Sequence, residues 1–564
     1  MKKVFNYLII FLIIINLIAF ISLNIMSRDY FLIKISELFN LKYLKTNLEN
    51  FVTKERYINI KLLPLFNIFL ILLFFRFKFF LYKFYNDLKF DFIFFCKKIF
   101  SYKYIDIIPL ILILFISILI KFYYSYTFPI EGDEAVTFFA FTKIGLLSSI
   151  SFYPAPNNHV LNSILTNLTY FLPFNPTINL RIPNVLISTI STFFFYYTIS
   201  NFFNRNIIIL LTILFTFSYP VLFYGFSARG YSLIILSYII IFYCTIQIII
   251  NPILYKKYFR IFFIFSIIGF YSIPVFLYPF LICISFLFLY FYRFKLNEQL
   301  FFLIKFFILN ISAVIVIYSP IIIVSGLNSL IKNDFVKPIN RYDVIKSLYD
   351  HFNQSVNFII GLDLKYFIFF IFFSFILLYK KIPSSIFYFL FFNFCLTPFI
   401  LIAHSVIPFN RTWIFLLIPL LYLIGYILSK VIYISLISIR ILAILSVFIF
   451  VLQIYYFDRL LKKRNNFSYF MNNLSSFFIN VDAKNIFCYN FSMLQIQYYF
   501  ELNKKNIKID RINSVNVILN IDSIASLNRY DYIIYQKKIR LINYKIVKDY
   551  NKSIFIYNKI SYEN

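Results

Sequence analysis

The sequence predicts an α-helical polytopic membrane protein with about thirteen transmembrane helices, followed by a small C-terminal α/β domain. Three observations carry this. Apolar runs of about 17 or more residues recur from the N-terminus to about residue 457. Of the 564 residues, 61% are apolar and only 14% charged, which leaves no polar exterior for a water-soluble domain of this size. After about residue 465 the pattern changes to short β-rich runs separated by polar segments.

Taken in order, residues 1–103 form an N-terminal two-helix membrane extension, with apolar segments near 4–26 and 62–80. The opening MKKVFNYLIIFLIIINLIAF has the charge-then-apolar order of a signal peptide, but no small-residue cleavage site follows, so it reads as a retained anchor. Residues 104–457 hold the main membrane domain, with spans near 104–122, 182–203, 207–224, 230–250, 258–273, 275–292, 302–323, 364–380, 384–403, 412–429 and 431–457. Residues 465–564 form the soluble α/β domain, with strands in KNIFCYN, YDYIIYQ and SIFIYNKI and a helix at 492–503.

The 54 Lys and Arg against 23 Asp and Glu are scattered in short clusters between apolar runs, a distribution that fits topology signals and anionic headgroups and excludes a nucleic-acid surface. With Met1 inside, alternation puts Lys97 and Lys98, Arg205, Lys256 with Lys257 and Arg260, Arg293 with Lys295, and Lys380 with Lys381 on the inner side, as the positive-inside rule asks. The C-terminal domain then lies outside, and the protein sits in a bacterial inner membrane. The five cysteines, Cys96, Cys244, Cys283, Cys395 and Cys488, show no paired spacing, which argues against a disulfide framework or a zinc site.

The same alternation gathers four polar stretches on the outer side: 123–181, the SARGY turn at 227–231, the loop 324–362, and HSVIPFNR at 404–411. Polar residues converging on one membrane face imply one extracytoplasmic site. In EGDEAVTFF, Glu131, Asp133 and Glu134 form the densest acidic cluster of the membrane half; general acid–base work explains them, and so does helix capping, with Asp133 as N-cap and Glu134 at the positive helix end. In SFYPAPNNHVLNSIL, Asn157, Asn158 and His159 follow two prolines, as a loop anchor or as hydrogen-bonding groups for a sugar or phosphate. Arg181, Arg229 and Arg411 each begin or flank a predicted span, where an arginine in hydrocarbon costs about 2.5–3.5 kcal/mol. They either snorkel to headgroups or hold an anion, for which the planar guanidinium fork suits phosphate. Tyr231 and His404 accompany them. The loop 324–362 mixes Lys332, Lys337, Arg341, Asp343, His351 and Gln354 with aromatics, as a substrate cleft or a solvated loop would.

In order, GDEA, PNNHVL, LRIPNVL, SARGYSL and NRTWIFLLIPL resemble the motif series of GT-C-fold membrane glycosyltransferases, in the branch of the protein O-mannosyltransferases and the lipid A aminoarabinose transferase. The resemblance spans about residues 104–430. It implies a GT-C-like core, a first outer loop carrying the catalytic acid at Asp133 with Glu134 beside it, helices lying along the membrane at 135–149 and 158–172, and a sugar donor on a polyprenyl or dolichyl phosphate. His159 matches a histidine that in many members precedes Pro-Pro-Leu; here Val160 and Leu161 follow.

These readings lead to a glycosyltransferase moving a sugar from a polyprenyl-phosphate donor to a lipid, glycan or protein acceptor. Asp133 acts as the base, Arg229 and Arg411 with Arg181 bind the leaving phosphate, and Glu131, Asn158, His159, Tyr231 and His404 contact substrate. Direct displacement inverts the anomeric carbon. No cofactor is required, and a divalent metal bridging Glu131, Asp133 and the phosphate is compatible with the sequence. The rival is a transporter or flippase of lipid-linked saccharides, for which internal repeats and charges near the midplane would speak.

Overall fold

In the computed structural model, the described residues are 2–38, 49, 51–76, 78–100, 107–154, 156–331, 338–434, 439–489, 494–505, 507–512, 531–535, 544–550 and 554–559. The expected boundary at 103 and the loop residues Lys332 and Lys337 lie outside them, as does the side chain of Cys488. The chain divides into two units: residues 1–126 with 137–458, and residues 127–136 with 459–564.

The first unit is helical. Among the described residues nine helices are long and apolar enough to cross a membrane, and eleven if each of two bent pairs counts as one crossing. Beyond Lys54–Leu73 they run Ile107–Thr127, Pro176–Ile199, Tyr231–Ile250, Pro274–Arg293, Asn297–Ser325, Ser384–His404, Asn410–Lys430 and Ile444–Arg464. The expected spans at 4–26 and 258–273 are helices too, Lys2–Ile25 and Tyr255–Ser272, but neither is among the nine. The second carries Lys256, Lys257 and Arg260 in its first turns, at the end where Lys256 meets Glu298.

The bent pairs correct two expectations. Residues 207–224 are not one straight span: Arg205–Thr216 and Tyr219–Phe226 meet at 56°, broken where Ser218 and Pro220 restart the helix. The loop expected at 324–362 is largely the helix Arg341–Ile360, bent by 77° from Leu364–Leu378. Its polar face hides an apolar stripe that buries Val344, Val356 and Ile359. Asn340 caps its start by accepting from the Tyr342 N–H, and Gly361, at φ 74°, ends it in the left-handed region.

Packing follows burial. In the helix Tyr231–Ile250, 94% of the apolar window is buried, so protein rather than lipid surrounds it. The ring of Phe242 lies 5.0 Å from Phe389 and 5.1 Å from Tyr422, and Tyr238 hydroxyl donates to Asn393 Oδ1.

Side-chain bonds sort the helix termini into two ends. At one, Arg181 reaches the carbonyls of Tyr124 and Ser125, Tyr278 meets His404, Arg411 meets Tyr231, and Ser325 donates to the Ser151 carbonyl. At the other, Tyr255 hydroxyl donates to Glu298, Tyr290 to the Ile249 carbonyl, and Tyr243 to Asn201. The long helices joined by these bonds therefore alternate in direction.

The second unit carries a five-stranded sheet in the order β2-β1-β3-β5-β4, formed by β1 (Asn485–Tyr489), β2 (Lys508–Ile512), β3 (Tyr532–Tyr535), β4 (Tyr544–Tyr550) and β5 (Ile554–Lys559). β1 pairs in parallel with β2 and β3, and the helix Leu494–Leu502 makes the β1-to-β2 crossover. That helix and Asn466–Asn480 bury Met471, Leu474, Phe478, Ile496 and Phe500 with Ile486 and Ile556 of the sheet. Residues 127–136 join this unit through specific bonds: Ile130 N–H donates to the Tyr499 hydroxyl at 2.9 Å, and Gln495 Nε2 donates to the Ile130 carbonyl at 2.7 Å.

Alternation has a direct check. In a cysteine-free background, cysteines introduced at Asn251 and Lys295 should react with an impermeant maleimide from one side of the membrane, and those at Asn328 and Phe409 from the other. The same sidedness at all four sites contradicts the two-ended arrangement.

Candidate functional site

The N-terminus of the buried helix Tyr231–Ile250 is where chemistry-bearing residues meet. The chain turns sharply before it, with Arg229 N–H donating to the Ser227 carbonyl at 2.7 Å and Gly230 standing at the N-cap. Gly230 has no side chain to cap the helix. Its own N–H donates instead to His159 Nδ1 at 2.7 Å, across 71 residues of sequence. The two backbones pack so closely that a Cβ on Gly230 would lie 3.0 Å from His159 Cβ, which is why glycine is needed although its φ of −68° suits any residue.

Around this bond, Arg229 Nη1 donates to Asn157 Oδ1 and is 2% exposed. Arg411 Nε donates to the Tyr231 hydroxyl at 2.8 Å, and its guanidinium lies 4.4 Å from the Phe409 ring centroid. Tyr231 stands edge-on to the His159 imidazole at 5.3 Å. Burial, and then the positive charges of Arg229 and Arg411, hold the His159 imidazole well below its usual pKa. It is therefore neutral near pH 7, and because Nδ1 accepts, Nε2 carries the proton. Burial also raises the Tyr153 phenol, with Tyr231 adding to the rise and Arg229 opposing it.

Two guanidinium groups, an imidazole N–H and a helix N-terminus thus share one buried corner of the first unit. A helix start directs N–H groups and a positive partial charge outward, and guanidinium forks match phosphate oxygens. The corner is suited to an oxyanion, phosphate above all. No family model matches the chain, and no curated protein matches it.

The remaining sequence candidates divide by place. Asn158, fully buried, donates to the Ser149 and Phe152 carbonyls and accepts from Ser163, so it knots the 152–159 loop while its neighbour Asn157 meets the arginine. Arg181 donates to the Tyr124 and Ser125 carbonyls at the end of Ile107–Thr127, where a cation complements the negative helix terminus. His404 is exposed, and its Nδ1 lies 2.8 Å from the Tyr278 hydroxyl; Tyr278 packs on Trp413, whose indole N–H donates to His351 Nε2 at 2.7 Å.

Glu131, Asp133 and Glu134 belong to the second unit. There the helix begins at Gly132, and the Ala135 N–H to Glu131 carbonyl bond makes Glu131, not Asp133, the N-cap. Glu134 is fully buried and accepts from the Glu131 N–H at 3.1 Å, the return half of a capping box. Asp133 is half-buried in the same first turn.

Tyr153, Tyr278 and Trp413 are the additions that the sequence did not single out as site residues, and of the two asparagines weighed there it is Asn157 that meets the arginine. Its signal was its place directly after Pro156 and two residues before His159. Nothing local marked the aromatics among so many others.

Because His159 is neutral when folded and its pKa is depressed, the unfolded chain binds a proton the folded chain refuses as pH falls below about 6.5. The stability tied to neutral His159 is complete above that pH and is lost on the acid side. His159→Asn can keep an acceptor for the Gly230 N–H without titrating. Wild type should therefore lose thermal stability relative to His159→Asn between about pH 6.5 and pH 5. A pH-independent difference contradicts the neutral, Nδ1-accepting histidine.

Proposed function

We propose that this chain is a membrane glycosyltransferase of GT-C type that moves a sugar from a polyprenyl-phosphate donor to a lipid, glycan or protein acceptor. The observation that carries the proposal is the convergence of Arg229, Arg411 and neutral His159 on the start of the Tyr231–Ile250 helix. An apolar cavity of about 440 Å³ supports the lipid character of the donor. Phe352, Val356, Ile359, Phe367, Phe391 and Trp413 are among its lining residues, and Trp413 follows Arg411 by two residues in one short 3₁₀ helix. A charged end beside an apolar slot suits a phosphate joined to an isoprenoid chain.

In the proposed reaction an acceptor hydroxyl oxygen attacks the anomeric carbon from the face opposite the leaving group. The bond from that carbon to the phosphate oxygen breaks, and its electron pair departs with the polyprenyl phosphate. Arg229 and Arg411 stabilise the charge that grows on that oxygen, and His159 Nε2–H is a neutral donor in the same corner. The acceptor proton goes to a carboxylate. The sequence assigns this role to Asp133; Glu134 is less suited because its carboxylate is engaged by the Glu131 N–H. Inversion at the anomeric carbon follows from single displacement.

The positive-inside rule supports an outward orientation for this end of the first unit, since Lys256, Lys257, Arg293 and Lys295 cluster about the opposite helix termini.

Two kinds of variant test the division of labour. Arg229→Lys and Arg411→Lys keep charge but lose the fork, and each should weaken donor binding about ten- to a hundred-fold, the worth of one charge-assisted hydrogen bond. Asp133→Asn should leave donor binding intact and lower turnover by about two to four orders of magnitude. Normal donor binding in both lysine variants would reduce the arginines to structural anchors, and near-normal turnover in Asp133→Asn would remove the base assignment.

A further inference from the structure

Away from that corner, the first unit has a second cavity, of about 310 Å³, lined by residues of the N-terminal helix Lys78–Phe100 and of Tyr255–Ser272 and Asn297–Ser325. Its floor is aromatic, with Phe259 and Phe306 buried, and its mouth is formed by exposed Lys83, Lys305 and Leu309. Arg260 lies between floor and mouth; it bonds Asp91 and reaches Asp87 at 3.5 Å, tying the N-terminal helix to the bundle. Arg260 is thus matched by the carboxylates of Asp91 and Asp87, which leaves the exposed Lys83 and Lys305 as the cations at the mouth.

Depth along the helices makes this arrangement specific. Lys305 lies eight residues from the start of Asn297–Ser325 and Arg260 five from the start of Tyr255–Ser272, and these starts are joined by the Tyr255–Glu298 and Lys256–Glu298 contacts. At about 1.5 Å per residue the cations sit roughly 8–12 Å below that end, with Phe306 and Leu309 deeper still. That is the depth at which headgroup phosphates give way to acyl chains. Leaving lysines on the lipid-facing surface here costs free energy unless an anion meets them, and the apolar floor beneath has the polarity of a lipid's glycerol and upper acyl region.

We infer that this cavity is a binding site for an anionic phospholipid, whose phosphate is held by Lys83 and Lys305 and whose acyl chains lie over Phe306 and Leu309. The N-terminal extension supplies one wall of the site, and the bound lipid bridges that wall to the bundle. The site is independent of the glycosyltransferase proposal.

Native mass spectrometry of the full chain tests it, after exchange into micelles containing equal phosphatidylglycerol and phosphatidylcholine of matched acyl chains. Wild type should retain phosphatidylglycerol preferentially, and Lys83→Gln with Lys305→Gln should lower the retained fraction about tenfold or more, charge-assisted contacts being the ones removed. The double Lys→Arg variant should restore retention, and Lys380→Gln, in a distant turn, should leave it unchanged. Equal retention by wild type and the double glutamine variant overturns the site, as does loss in the double arginine variant. Displacement of the lipid by equimolar inorganic phosphate would overturn its assignment to lipid.

Discussion

The hydrogen bond from the Gly230 N–H to His159 Nδ1 is the contact on which the candidate site depends. A buried helix N-terminus must find acceptors for its first N–H groups, and glycine at the N-cap brings no side chain to supply one. A histidine from a distant loop supplies the acceptor. That choice has consequences in order: the ring must be neutral, its other nitrogen must carry hydrogen, and the loop that bears it must be rigid. Asn158 supplies the rigidity by bonding Phe152 at the loop's start and Ser149 and Ser163 in the helices on either side, while Asn157 meets Arg229. A backbone requirement of one helix thereby organises a cluster of polar side chains.

How much of this was legible in the sequence depends on the kind of signal. Apolar runs have a one-dimensional signature, so Tyr231–Ile250 and Ser384–His404 fall within a residue or so of the runs at 230–250 and 384–403. Arg229 and Arg411 were legible because charge beside a span is expensive and therefore conspicuous. The helix Arg341–Ile360 was missed because its hydrophobic stripe is diluted by charge; the cap at Asn340 and the glycine at 361 were its readable marks. The choice between Asn157 and Asn158 was beyond sequence, since it depends on which way each side chain leaves a turn. So was the shift of N-cap from Asp133 to Glu131, a displacement of two residues within one acidic cluster.

Charge is distributed by solvent throughout the first unit. Arg181 spends its guanidinium on the carbonyls that end Ile107–Thr127, and Arg260 on Asp91, so these two arginines help join helices. Arg229 donates to Asn157 and Arg411 to the Tyr231 hydroxyl, beside the neutral His159. What distinguishes the corner suited to phosphate is its place at the N-terminus of the buried helix Tyr231–Ile250, where helix N–H groups add to the two cations.

The central claim is that donor phosphate bound at this corner leaves in a transfer reaction. Purified protein incubated with a panel of polyprenyl-phosphate sugars and a membrane extract as acceptor, with products resolved by mass, tests it most directly. The account predicts one polyprenyl phosphate released for each sugar gained by the acceptor, with the anomeric configuration inverted. Donor that binds but stays intact across the panel, while vesicles containing the protein move it from one leaflet to the other, would contradict an enzyme and identify a transporter of lipid-linked saccharides.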